Sequence, residues 1–196
     1  MRDTLRLGLI LMLICAVSGG SLAYVYGITS KIIDERRAKE IAQSMKTVLP
    51  SAEDFAELPE VDLSAIREDK SFADVEAVYT GSVGGSVEGI VAKLAASGYG
   101  GKITLLVGVK ADRSVSGLQV LSHGETPGLG AKITNLGFQE QFIGKGASSA
   151  ALAVSKDGGE IQAISGATIS SRGVVAGVNT ARNLVSTLGF AGGAAR

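Results

Sequence analysis

Near the start of the chain lie 22 residues, Leu7–Ile28, without one Asp, Glu, Lys, Arg or His. As a helix this run is about 33 Å long, close to the ~30 Å hydrocarbon thickness of a bilayer. Tyr24 and Tyr26 stand near its far end, where aromatic side chains favour the interface. A cleaved leader is the competing reading, with Arg2 and Arg6 as its basic start and Ser21-Leu22-Ala23 as the cleavage site. The run exceeds the ~7–15 apolar residues of a leader core, which favours a retained anchor. Ile33, Arg37, Ile41, Met45 and Val48 then recur at helical spacing over residues 29–49, and Pro50 ends that pattern.

From Phe72 the pattern changes to short β-type runs punctuated by glycine. Val75–Thr80, Val87–Leu94, Ile103–Val109 and Val115–Ser122 are predicted strands, the last two joined by a turn at 110–113. A second hairpin is predicted from Ala150–Val154 and Glu160–Ile164 across Lys156-Asp157-Gly158-Gly159. Ala131–Phe142 reads as a short helix or irregular crossing. A last helix, about Ser171–Leu188, would put Val174, Val178, Ala181, Val185 and Leu188 on one face. The chain therefore divides into an anchor at 1–30, a helical and acidic connector at 31–71, and an α+β domain at 72–196, with antiparallel strands and peripheral helices.

Charge follows the same three parts. The 19 basic and 19 acidic residues cancel over 196 residues, and the acids concentrate in the connector. A chain without net positive charge lacks the basic face of a nucleic-acid binder, so no nucleic-acid partner is expected. One cysteine excludes an internal disulfide or a four-cysteine cluster, and one histidine excludes a multi-histidine metal site. The 27 glycines are about twice the usual share, which points to tight backbone sites.

The common catalytic signatures fail. Gly84–Glu88 lacks the second glycine of a hydrolase elbow, Gly98–Ile103 lacks the third glycine of a dinucleotide fingerprint, and no P-loop is present. His123 reads as a polar residue at a strand end. Two segments remain. In Glu125-Thr126-Pro127-Gly128-Leu129-Gly130-Ala131-Lys132, the glycines permit a backbone that brings bare N–H groups to a flat or anionic ligand, or simply a tight connection. In Ile164-Ser165-Gly166-Ala167-Thr168-Ile169-Ser170-Ser171, hydroxyls and amides collect at a helix start. Its geometry suits either a phosphate or an ordinary cap by Ser170 or Ser171.

SGAT at Ser165–Thr168, ETPGLG at Glu125–Gly130, GYGGKI at Gly98–Ile103 and the single N-terminal span together resemble the FMN-binding G subunit of the Rnf electron-transport complex. The related C subunit of the sodium-pumping NADH:quinone reductase is similar. The resemblance implies FMN joined by a phosphoester to Thr168, installed by a flavin transferase that uses FAD. Ser165, Gly166 and Ala167 would give the transferase a small, open approach. Thr126, Gly128, Leu129 and Gly130, with Glu125, would line the flavin, and Lys132 would stabilise its reduced, anionic form. Where the family motif has an aspartate three residues before the serine, this chain has Gln162.

The same resemblance implies an electron relay in a membrane complex whose other subunits hold further redox centres. It also places residues beyond the span on the extracytoplasmic face of a cell inner or plasma membrane. The positive-inside count leans the other way, because Lys31, Arg36, Arg37 and Lys39 follow the span. Rival readings are an anchored binding module without redox chemistry, and a hydrolase using Ser165 or Thr168 as nucleophile.

Overall fold

The computed structural model describes residues 2–148 and 150–189. Residues 190–196, the tail of the expected C-terminal domain, lie outside the described residues. The chain forms two compact units, residues 1–43 and 44–196.

The first unit is the greater part of one helix, α1 (Arg2–Val48). Within it, Leu5–Ser30 has a mean hydropathy of 2.0 and is long and apolar enough to cross a membrane. Leu7, Met12, Leu22 and Tyr24 are all well exposed, as side chains that meet lipid would be.

The second unit is built on five antiparallel strands in sequence order: β1 (Asp54–Glu57), β2 (Val75–Val83), β3 (Ser86–Ser97), β4 (Lys102–Lys110) and β5 (Val115–His123). Every neighbouring pair is consecutive in the chain, so no crossover is needed. The strands at Val75, Val87, Ile103 and Val115 are present, each somewhat longer than the apolar runs suggest. The failed elbow at 84–88 is the turn and first residues of the β2–β3 hairpin.

Ile90, Ala92, Leu94, Ile103, Leu105 and Val107 form the main core with Val174, Val178, Ala181 and Val185 of the last helix, which spans Thr168–Thr187. The opposite face of the sheet is covered by the end of α1. The Val48 carbonyl accepts a 2.6 Å hydrogen bond from Ser116 Oγ, and Leu49 is fully buried. Gly108 and Gly117 make room there: a Cβ on Gly108 would stand 2.1 Å from the Val48 oxygen. This explains why β3 and β4 read as near-continuous apolar runs, since both faces are buried.

Two expectations change. The boundary at residue 72 moves to Ser44, because Leu49 and Ala52 pack on the sheet and the connector supplies β1 and α2 (Glu60–Arg67). The acidic composition of 51–71 conceals this, since β1 is an edge strand with three of its four residues exposed. The hairpin at 150–164 is also absent. It reduces to one bridge, Val154 with Ile161, around a single 3₁₀ turn at Ser155–Asp157. Extension beyond Ile161 fails because the Gln162 amide donates to the Gln141 side chain instead of to a strand. The crossing at 131–142 is a chain of short turns that includes α3 (Leu136–Gln139), and the last helix is α4 (Thr168–Thr187).

Close packing of α4 gives a test of opposite sign to the usual helix rule. Glycine to alanine inside a helix ordinarily stabilises by about 1 kcal/mol. At Gly173, however, the new Cβ would lie 2.2 Å from the backbone oxygen of Ser97. Gly173→Ala should therefore destabilise by roughly 1–3 kcal/mol through overpacking, measured by thermal unfolding. A raised midpoint would show that α4 shifts outward freely.

Candidate functional site

Three turns and the start of α4 meet at one end of the sheet. They enclose a cavity of about 470 Å³, within the ~300–1,000 Å³ common for small-molecule sites. Tyr99 comes from the β3–β4 turn, and Glu125, Thr126, Leu129 and Gly130 from the loop after β5. Lys156 comes from the 3₁₀ turn, and Gly166–Ser170 from the entry to α4.

Glu125 ties these pieces together. It is 5% exposed and both carboxylate oxygens are engaged. Oε1 accepts from the Gly100 amide at 3.0 Å, and Oε2 accepts from Ser170 Oγ at 2.6 Å. Its own amide donates to His123 Nδ1 at 3.2 Å, so the strand-end histidine braces the loop. Gly130 must lack a side chain, because a Cβ there would lie 2.3 Å from Glu125 Oε2 and 2.9 Å from Ser170 Oγ.

Helix α4 begins at Thr168, three residues before the sequence pattern suggests. Its cap position is Ala167, which has no side-chain hydrogen bond to offer. The helical ladder opens with the Ser171 amide donating to the Ala167 carbonyl, which leaves the amides of Thr168, Ile169 and Ser170 at the cavity. Neither serine caps the helix. Ser170 is committed to Glu125, while Ser171 Oγ donates to the Ala167 carbonyl and accepts from the Ile164 amide. The chain turns into the helix through Gly166, whose φ of +77° suits glycine.

Thr168 Oγ1 faces a cation, accepting from Lys156 Nζ at 3.2 Å. The turn that carries Lys156 is fastened to α4 by Arg172, whose Nε donates to Asp157 Oδ2 at 2.8 Å and whose Nη2 donates to Asp157 Oδ1 at 2.6 Å. Those bonds hold the Asp157 carboxyl below its ordinary pKa.

Of the residues named from sequence, Glu125, Thr126, Leu129, Gly130, Gly166, Ala167 and Thr168 line the cavity. Gly128, Lys132 and Ser165 are not part of its lining. Gly128 instead shapes the loop with φ of +78°, and Ser165 is exposed. Sequence reasoning missed Tyr99, Lys156 and Ile169. The residue pattern places Lys156 in a hairpin turn, and the only available signal was a cation just upstream of SGAT.

Residues 98–183, which contain all of these lining segments, match the model of the FMN-binding domain family. The chain is 37% identical over 182 residues to the G subunit of the Na(+)-translocating ferredoxin:NAD(+) oxidoreductase complex of Acetobacterium woodii. That match covers 89% of this chain and 87% of the relative. The chain belongs to the G-subunit family of ion-translocating oxidoreductase (Rnf) complexes. The corresponding G subunit of the ion-translocating oxidoreductase complex of Methanosarcina acetivorans is 38% identical, with 90% of this chain and 91% of that one covered. Among solved structures, the C subunit of the Na(+)-translocating NADH-quinone reductase from Parabacteroides distasonis shares the fold, with a TM-score of 0.53. It is 22% identical, and the match covers 80% of this chain and 85% of that one. The α+β architecture and the N-terminal apolar helix thus agree with the resemblance seen in the motifs.

Proposed function

We propose that this chain is the electron-relay subunit of a membrane-bound ion-translocating ferredoxin:NAD oxidoreductase complex, carrying FMN through a phosphoester to Thr168. One observation carries the reading: the Thr168 hydroxyl lines the cavity beside three first-turn amides that no side chain caps. Amides and the helix dipole at that position favour an anion such as a phosphate. The cavity is large enough for a small cofactor, and its Tyr99, Leu129 and Ile169 walls offer apolar surface to a flat ring. FMN supplies electron-transfer chemistry that the side chains of this subunit lack.

The chain's own residues hold and shelter the group. Thr168 Oγ1 would be the attachment atom, and the first-turn amides of α4 would hold the phosphate. Thr126, Leu129 and Gly130 wall the remainder, while Glu125 sets the spacing between the walls. Ser165, which is exposed, and Gly166 leave the approach to Thr168 open to a flavin transferase. The test is the intact mass of the chain produced with that transferase. A gain of one FMN less one water supports the reading, and an unmodified chain overturns covalent attachment.

The helix Leu5–Ser30 anchors the subunit in this reading, with the flavin domain on the extracytoplasmic side. Ser86 is exposed at the start of β3, beside the β2–β3 turn, and suits a labelling site. Ser86→Cys should react with a membrane-impermeant thiol reagent in intact cells. Labelling only after lysis would place the domain in the cytoplasm.

A further inference from the structure

We propose that Lys156 recognises the flavin phosphate at Thr168, and that the Asp157–Arg172 pair is the positioning device that holds Lys156 there. This rests on the reading that the cavity takes FMN. Lys156 Nζ lies 3.2 Å from Thr168 Oγ1, the atom to which the phosphate would be joined. Among the described residues, the ion pairs use Arg67, Lys93, Lys102, Lys145 and Arg172, and none uses Lys156. The one acid among the described lining residues, Glu125, already accepts from Gly100 and Ser170. Lys156 thus brings an uncompensated positive charge to a neutral hydroxyl, a weak partner for a long side chain that must be ordered to reach it. An anionic phosphate oxygen at the same place would make that hydrogen bond charge-assisted and about twice as strong.

The backbone around Lys156 is built to deliver it. The Ser155 amide donates to the Ile161 carbonyl at 2.8 Å, and the Gly159 amide donates to the Val154 carbonyl at 3.0 Å. Between these bonds, the bidentate Asp157–Arg172 pair fixes the turn to the first turns of α4. The lysine that contacts Thr168 and the helix that carries Thr168 are therefore held as one piece.

The experiment compares FMN with riboflavin, which has the same ring and no phosphate. Full-length chain in detergent, from cells without a flavin transferase, is titrated with each by quenching of flavin fluorescence. Wild type should prefer FMN. Lys156→Gln should weaken FMN binding about twofold to fivefold, as expected for an exposed charge pair, and leave riboflavin binding unchanged. Lys156→Arg should keep the preference, Lys156→Glu should abolish it, and Asp157→Asn should reduce it less than Lys156→Gln does. No preference in wild type overturns the proposal, as does an equal effect, or none, of Lys156→Gln on both ligands. Intact mass separates this from the reading it rests on. An adduct present with an unchanged FMN preference in Lys156→Gln removes Lys156 alone. An adduct absent from the wild-type chain made with its transferase, with the preference lost in Lys156→Gln, removes the covalent bond and leaves the phosphate contact standing.

Discussion

Thr168→Ala should abolish covalent flavin completely while leaving the fold in place. The substitution removes the proposed attachment atom and the hydrogen bond from Lys156, and little else. Thr168 is the first residue of α4, and alanine is a better helix former than threonine, so the helix start is not weakened. Val174, Val178 and Val185, which fix α4 to the sheet, lie one or more turns further on. The stability change should fall within about 0.5 kcal/mol. The variant should therefore reach the membrane and assemble, yet show no in-gel flavin fluorescence and no added mass, and electron transfer through the complex should fail. Ser165→Ala should keep the label, because Ser165 is exposed and not part of the cavity lining. A flavin adduct on Thr168→Ala would end the assignment of this acceptor.

Glu125→Ala should be the most damaging change to the site's architecture. It removes the acceptor of two hydrogen bonds from inside the protein, stranding the Gly100 amide and the Ser170 hydroxyl. Each stranded group costs roughly 1–3 kcal/mol. Part of that is offset, because a buried carboxylate with no cation partner is itself expensive to desolvate. A net loss of about 3 kcal/mol corresponds to a fall of roughly 6–12 °C in the unfolding midpoint of a unit this size. Glu125→Gln discriminates the hydrogen-bond account from a simple charge effect. The amide oxygen can still accept from Gly100, and the Ser170 hydroxyl can turn to accept from the NH₂ group. The Gln variant should lose less than about a third as much stability as the Ala variant, since both partners stay bonded. Equal losses would show that the charge, and not the pair of acceptors, holds the turns together.

The parts of the fold legible in the sequence were those whose signal is periodic and local. The strands at Val75, Val87, Ile103 and Val115 and the apolar stripe of α4 announce themselves by residue type alone. β1 does not, because three of its four side chains face solvent and it is defined by pairing with β2. The false hairpin at 150–164 has the right composition, but Gln162 bonds to Gln141, 21 residues away. Arg182 of α4 is 1% exposed and donates to the carbonyls of Gly146, Ser148 and Ala150, bonds that its residue type alone does not announce. Burial holds its guanidinium below its ordinary pKa, with Arg113 nearby adding to the effect. Around the cavity, the short motifs marked the two loops that supply most of its lining. What they could not reveal was the bonding between loops, such as Glu125 to Ser170 across 45 residues or Lys156 to Thr168.

The order of the elements along the chain also sets an order in time. All the strand pairings join consecutive segments, so the sheet can grow hairpin by hairpin as the chain emerges, at low loop-closure cost. The cavity cannot. Its walls come from residues 99, 125, 126, 129, 130, 156 and 166–170, and the last of them belongs to the final helix. Until α4 docks, Glu125 has no Ser170 to bind, and Thr168 is an ordinary hydroxyl on a loose tail. The surroundings of Thr168 are thus completed only at the end of folding, and under the proposed function a transferase that reads the assembled site would modify finished subunits and pass over nascent ones.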